Sequence, residues 1–331
     1  MKKLLLVRTG GTIEMEVDRK DEAGTQDWSD VLLHQIPELA SIAELEVIQL
    51  MQQDSSNMNA LHWIQLVSTI QKHYTAYDGF VILHGTDTMA YTASALSFGL
   101  QQIAKPVILT GSQLPISRLR SDARRNLVNA IELATLDIPE VCICFNDFLY
   151  RGNRSTKMSI GDFDAFASPN YPPLAEIGIQ INVQSSLSPQ KQQPDFFQTF
   201  SDDLAHIKLY PNLRPEFLRC INLDDIRAVV IEAFGSGNFP IRGTYSLIPF
   251  LERCAKKNVL ILIASQAPFD SVDLSIYKAG RIAKNLGAIS AADMTVEACI
   301  TKLMHLLALK NEPDSIKQKL TQSLAGEITP E

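Results

Sequence analysis

The sequence predicts an α/β fold: a doubly wound parallel sheet followed by a second, smaller α/β domain. Three observations carry this. Short apolar, largely β-branched runs recur along the chain, stretches with apolar residues at helical spacing separate them, and a polar, proline-punctuated segment interrupts the alternation past the middle. Strand–helix alternation requires right-handed crossovers, which lay neighbouring strands parallel and cover the sheet on both faces. At 331 residues the chain exceeds the usual size of one domain, so two are expected.

The first strand is expected over 4–8. Its start, Met1-Lys2-Lys3 followed by Leu4-Leu5-Leu6-Val7, imitates a secretory leader, but Arg8-Thr9-Gly10-Gly11 ends the apolar run too soon for one. Further strands are expected over 45–51, 80–83, 107–110 and 141–145, with helices over 61–73, 90–101 and 123–135 between them. From about 179 to 212 the pattern weakens, and Asn182 to Pro194 is polar and broken by Pro189, which reads as linker or exposed loop. The alternation then resumes, with strands over 228–232 and 259–263 and helices over 245–256, 274–286, 296–309 and 315–324. The expected division is a catalytic domain over 1–185, a linker over 186–212 and a second domain over 213–331.

Composition excludes some partners. With 46% hydrophobic and 20% charged residues the chain is ordinary globular material. A net charge of −7 argues against nucleic acid and against an anionic membrane surface, both of which attract basic patches. No run is long enough to span a bilayer. The five cysteines, Cys142, Cys144, Cys220, Cys254 and Cys299, lie mostly in apolar runs and read as buried thiols of a reducing compartment. Their spacing suggests no zinc site.

In doubly wound sheets ligands bind beyond the carboxyl ends of the strands, so the residues that follow each strand are the informative ones. The first strand runs into Thr9-Gly10-Gly11-Thr12-Ile13. The two glycines permit a tight turn and close backbone approach, and Thr12 offers a hydroxyl; taken alone, the motif reads as a plain glycine turn before it reads as a nucleophile. It has neither dinucleotide-binding nor P-loop spacing. The second strand is followed by Asp54-Ser55-Ser56-Asn57-Met58, donors for a carboxylate or a cap for the next helix. After the third comes His84-Gly85-Thr86-Asp87-Thr88, where Asp87 either caps the next helix or holds an ammonium, and His84 reads as a packed histidine. The fourth leads into Thr110-Gly111-Ser112-Gln113, and the fifth toward Lys157, a surface charge unless it points back toward Thr86. Together these strand ends describe a site for a small polar substrate.

The motifs at 9–13, 54–58 and 84–88 resemble those of bacterial L-asparaginases, and the runs 78–98, 161–170, 292–297 and 326–330 resemble the cytoplasmic type I branch. The resemblance covers nearly the whole chain. It implies a flavodoxin-like first domain and hydrolysis of asparagine to aspartate and ammonia, in the cytoplasm, without metal or organic cofactor. It further implies Thr12 as nucleophile and Thr86, Asp87 and Lys157 as the second catalytic group. Gly11 and Gly85 would supply backbone donors to the oxyanion, while Asp54, Ser55, Ser56 and Asp87 would hold the substrate's α-carboxylate and α-ammonium. Asn238 would complete the site from a neighbouring subunit of a homodimer or homotetramer (a dimer of dimers).

Two departures from the family pattern stand out. Relatives usually carry a tyrosine after the first motif, placed to reach the nucleophile; this chain has none there, with Thr25 and Trp28 as the nearest substitutes. Activation is therefore expected to fall more heavily on Lys157 and Thr86. Some type I relatives also bind a second asparagine at an allosteric site. Thr156 matches one residue of it, but Glu232 stands where an arginine is expected and Ala267 where some relatives have cysteine. A carboxylate there repels the effector's carboxylate, so activation by that route is not expected. The competing readings are an amidase of the same fold acting on glutamine or another amide, and a non-catalytic amino-acid sensor. The subunits of tRNA-dependent amidotransferases carry a domain ahead of the first motif, which here begins at Thr9.

Overall fold

The computed structural model describes residues 1–14, 32, 34–184, 193–309 and 312–330. The chain packs as two units, residues 1–198 and 199–331. In the first, β1 (Lys3–Arg8), β2 (Glu44–Gln49), β3 (Gly79–Leu83), β4 (Val107–Thr110) and β5 (Val141–Phe145) are parallel. β6 (Phe148–Arg151) turns back antiparallel on β5, and β9 (Ala175–Ile177) and β10 (Ile181–Val183) extend that edge. The order is β10-β9-β6-β5-β4-β3-β1-β2, so β1 lies between β2 and β3. A separate two-strand hairpin pairs β7 (Thr156–Lys157) with β8 (Phe166–Ala167).

The period-2 geometry of a strand explains why β1 is apolar throughout. Leu4 and Leu6 enter one core with Leu127 and Ile131 of α3 (Ala123–Ala134). Leu5 and Val7 enter the other with Leu66 and Ile70 of α1 (Ala60–His73) and Ala93 and Leu96 of α2 (Met89–Gly99). All four β1 side chains are fully buried, each contributing about 1.5–3 kcal/mol over exposure. α1 begins with a reciprocal cap: Asn59 accepts from the Leu61 N–H and the His62 ring accepts from the Asn59 N–H. α2 is buried on nearly every side, as its lack of a polar face requires.

The second unit is a four-stranded parallel sheet, β11 (Leu204–Lys208), β12 (Ala228–Ala233), β13 (Leu260–Ser265) and β14 (Ile289–Ser290), in sequential order. On one face β12 and β13 pack on α4 (Ile248–Lys256) and α5 (Lys278–Asn285), on the other on α6 (Val296–Ala308) and α7 (Pro313–Leu320).

Several sequence expectations require correction. The 186–212 segment is not a linker throughout: Asp195–Phe196 pairs with Leu100–Gln101 in the first unit, and β11 is an edge strand of the second. The helix expected over 274–286 starts only at Lys278, because the Asp273 carboxylate accepts from the Ser275 N–H and holds a turn there. That expected from 245 starts at Ile248, with Pro249 in its first turn. The last helix ends at Leu320 rather than 324, since the Glu327 carboxylate captures the N–H groups of Leu324 and Ala325. Four cysteines are buried, but Cys220 is exposed; all five are free thiols. Among the described residues no helix is long and apolar enough to cross a membrane.

Candidate active site

The strand order makes β1/β3 the switch point: the chain moves from β1 outward to β2, then back across to β3. Loops leaving such a point diverge and open a crevice at the carboxyl end of the sheet. Three contacts knit these loops. The Thr9 hydroxyl donates to the Leu83 carbonyl at 2.7 Å, the Gln53 N–H donates to the Thr9 carbonyl at 2.9 Å, and the Thr88 hydroxyl donates to the Ser55 carbonyl at 2.7 Å. Gly11 sits at φ +97°, and a Cβ there would stand 2.6 Å from the Gly85 nitrogen. The loops bearing Thr12 and Thr86 therefore meet backbone to backbone, a contact that only a residue without a side chain permits.

The resulting cavity, about 590 Å³, is lined by Gly11, Thr12, Asp54, Ser55, Gly85, Thr86, Asp87 and Lys157 from the sequence reading, together with Gly10, Glu14, Gln52, Gln53, Gln113 and Ile160. Lys157 does point back toward Thr86. Its Nζ lies 2.8 Å from Thr86 Oγ1 and 2.6 Å from Asp87 Oδ1, and its side chain is 15% exposed. The hairpin holds it there: Lys157 pairs across from Phe166, whose ring packs on Phe145 at 5.0 Å between centroids. Asp87 thus binds the lysine, while the N-terminus of α2, at Thr88, has no side-chain cap.

Not every expected residue reaches the cavity. Ser56 is exposed and outside the lining; its N–H donates to Asp54 Oδ1 at 2.8 Å, capping the short 3₁₀ turn Ser55–Asn57. That bond holds the Asp54 carboxyl below its ordinary range. Asn238 lies in the second unit, in the turn after β12, where its side chain accepts from the Phe239 N–H. Thr156 neighbours Lys157 on β7. Glu232, in the second unit, has Oε1 2.7 Å from His206 Nε2 and Oε2 3.1 Å from Lys208 Nζ. The positions expected to substitute for the loop tyrosine, Thr25 and Trp28, fall outside the described residues.

Gln113 is a residue to which the sequence reading gave no role. Its Oε1 accepts from the Thr86 hydroxyl at 3.3 Å, and its Nε2 donates to the Asp162 carbonyl at 3.0 Å. A carbonyl can only accept, so this contact fixes the amide with its oxygen toward Thr86. The signal available was its place just past β4, the strand next to β3.

His84 is fully buried, and burial lowers its pKa to about 4. Its Nδ1 donates to the Gly85 carbonyl at 2.7 Å. Its Nε2 lies 2.9 Å from the Thr92 hydroxyl, which itself accepts from Trp63 Nε1. A neutral ring with its proton on Nδ1 satisfies every member of this chain, so His84 supports the Gly85 backbone and does not face the cavity. In the second unit, burial likewise lowers His305 to about 4. Both folded values lie below the unfolded one of 6.5. The unfolded chain therefore binds protons that the folded chain does not, and stability is lost as pH falls from 6.5 toward 4. Each histidine contributes about 3 kcal/mol to that loss. Unfolding measured against pH is expected to show a His305→Leu variant losing about 3 kcal/mol less than the parent between pH 7 and pH 4; an unchanged pH slope would contradict the assignment.

Comparison with known proteins fits this geometry. The family model for the asparaginase N-terminal domain matches residues 3–189, and that for the glutaminase/asparaginase C-terminal domain matches residues 203–320. L-asparaginase 1 of Escherichia coli strain K12 is 38% identical, over 100% of this chain and 99% of that protein. The structure of the thermostable L-asparaginase from Thermococcus kodakarensis superposes with a TM-score of 0.89 at 34% identity, covering 99% of this chain and 100% of that one. That of L-asparaginase I from Vibrio cholerae gives 0.87 at 35% identity, covering 99% of both. These matches describe an α/β enzyme family with a two-domain chain. This chain belongs to the asparaginase family.

Proposed function

We propose that this chain hydrolyses the side-chain amide of L-asparagine to L-aspartate and ammonia, with Thr12 as nucleophile. The observation that carries the reading is the Lys157–Thr86–Asp87 cluster, Nζ to hydroxyl 2.8 Å and Nζ to carboxylate 2.6 Å, in the same cavity as Thr12. A threonine hydroxyl is a weak nucleophile until a neighbour takes its proton. In this reading Thr86 relays it, supported by the contacts that hold its hydroxyl, from Lys157 and to Gln113, with Asp87 in turn holding Lys157. The Thr12 oxygen bonds to the amide carbon, backbone N–H groups at Gly11 and Gly85 receive the oxyanion, and the amide nitrogen leaves as ammonia with the relayed proton. Water then cleaves the ester and returns the proton to Thr12. One oxyanion donor is worth about 3 kcal/mol.

Asp54, Ser55 and Asp87 hold the substrate's α-carboxylate and α-ammonium, a charge-assisted arrangement suited to a zwitterion. Asn238 completes the site from a neighbouring subunit in a homodimer or homotetramer, and the enzyme works in the cytoplasm. Ammonia release from asparagine and from glutamine, each with wild type and Thr12→Ala, tests the reading; release from neither substrate would end it.

The second-site residues Thr156 and Glu232 are read as inactive in regulation. The Glu232 carboxylate lies against His206 and Lys208, which favours an internal ion pair over an anion receptor. Initial rates are expected to rise hyperbolically with asparagine. A sigmoidal curve that became hyperbolic in Thr156→Ala would refute this.

A further inference from the structure

The geometry points to a positioning pair behind the nucleophile: we propose that the buried contact between Arg8 and Glu14 locks the turn that presents Thr12. The proposal rests on the reading of Thr12 as nucleophile. Arg8 closes β1, and Glu14 closes the 3₁₀ turn Thr12–Glu14. Arg8 Nη2 lies 3.1 Å from Glu14 Oε2, with the side chains 5% and 1% exposed. Arg8 Nη1 also donates to Gln49 Oε1 at 3.4 Å, and the Arg8 carbonyl accepts from the Leu50 N–H at 3.0 Å. One residue thereby grips the Thr12 turn with its side chain and the start of the Asp54 loop with its backbone. Glu14 and Asp54 both line the cavity.

The turn needs such an anchor. Gly10 and Gly11, at φ +101° and +97°, precede Thr12 and contribute no stiffness of their own. Ile13 is buried in the core, but an apolar contact does not fix rotation as a directional ion pair does. Stability alone does not account for the pair, because two buried charges cost desolvation that a well-packed apolar pair of the same volume avoids. What the pair adds is a defined orientation two residues from the reacting hydroxyl. It also neutralises a carboxylate on the wall of a cavity that must admit the carboxylate of its substrate.

The test is Glu14→Gln, which keeps the volume and removes the charge. A turn displaced by a fraction of an ångström misaligns the attack without altering the groups that bind the zwitterion. The expected result is kcat lowered about 10- to 100-fold, KM within about 3-fold, and amide hydrogen exchange across residues 9–14 at least about 10-fold faster while β3 is unchanged. Unchanged kcat and unchanged exchange at 9–14 would overturn the proposal. So would a kcat loss accompanied by faster exchange in every strand, which marks general destabilisation. If Glu14→Gln leaves Arg8 too costly to bury and does not fold, the neutral pair Arg8→Met with Glu14→Gln decides by the same readouts; wild-type kcat in that variant overturns the pair's role. Should the wild type release no ammonia at all, the functional reading fails, and exchange at 9–14 still decides whether the pair orders the turn.

Discussion

Thr12→Ala is expected to lower kcat for ammonia release from asparagine by about 10⁴-fold or more, the scale seen when a nucleophile that works as part of a unit is removed. The variant keeps the cavity floor, because the Gly11–Gly85 contact is made by backbone and does not involve the Thr12 hydroxyl. Substrate binding should survive, since Asp54, Ser55 and Asp87 are untouched, so the loss belongs in kcat and asparagine should still raise the thermal midpoint of the variant. Thr12→Ser is the informative companion: it retains a hydroxyl and should retain measurable turnover. Activity in Thr12→Ala within 10-fold of the parent would transfer the nucleophile's role elsewhere.

Lys157→Met is expected to lower kcat by roughly 10²- to 10⁴-fold, the contribution of a proton-relaying group that is lost when the contact positioning the Thr86 hydroxyl is removed. Methionine preserves most of the side-chain volume and the hairpin pairing with Phe166, but removes the atom 2.8 Å from the Thr86 hydroxyl. It also frees the Asp87 carboxylate from its ion pair. An unneutralised Asp87 attracts an α-ammonium more strongly, so KM should stay level or fall while kcat drops. This split separates a chemical role from a binding one: a raised KM with normal kcat would make Lys157 a substrate-binding residue, and near-normal values of both would remove it from the mechanism. Because no tyrosine lies close after the first motif, the effect of Lys157 should be at least as large as that of any other single group that does not bond to substrate carbon.

The sequence made the interior of the fold legible where burial is two-sided. Runs such as Leu4-Leu5-Leu6-Val7 and Val141-Cys142-Ile143-Cys144-Phe145 are apolar because both faces of the sheet are covered. β11 was hidden for the opposite reason. Leu204-Ala205-His206-Ile207-Lys208 is an edge strand with exposed positions, so its polarity resembled the loop before it. The helix at Lys278 was over-extended because Leu274 is apolar and buried, while the Asp273 turn that separates it from the helix leaves no periodic signature.

The site divides along similar lines. Thr12, Thr86 and Asp87 were visible because strand ends carry them in compact motifs, whereas Lys157 stood out only through the family resemblance; the structure brings all four to one cavity. Ser56 looked equivalent to Ser55 in sequence, but a 3₁₀ turn sends consecutive residues in different directions, and only Ser55 lines the cavity. The amide orientation that turns the Gln113 oxygen toward Thr86 is set by a partner 49 residues away. The Arg8–Glu14 pair was unreadable, since a charge at each end of a glycine turn looks like an ordinary exit to solvent.

For anyone wishing to retrain this catalyst on a bulkier amide, the meeting of Gly11 with Gly85 sets the terms. Any Cβ at Gly11 strikes the neighbouring main chain, and one at Gly85 comes within 2.7 Å of the Ser55 hydroxyl. The floor of the chamber is therefore closed to engineering, and a library that randomises it will return mostly dead clones. The walls are more open: Gln52 and Ile160 also line the chamber, and variation there can reshape it while Gln113, which holds the Thr86 hydroxyl, stays in place.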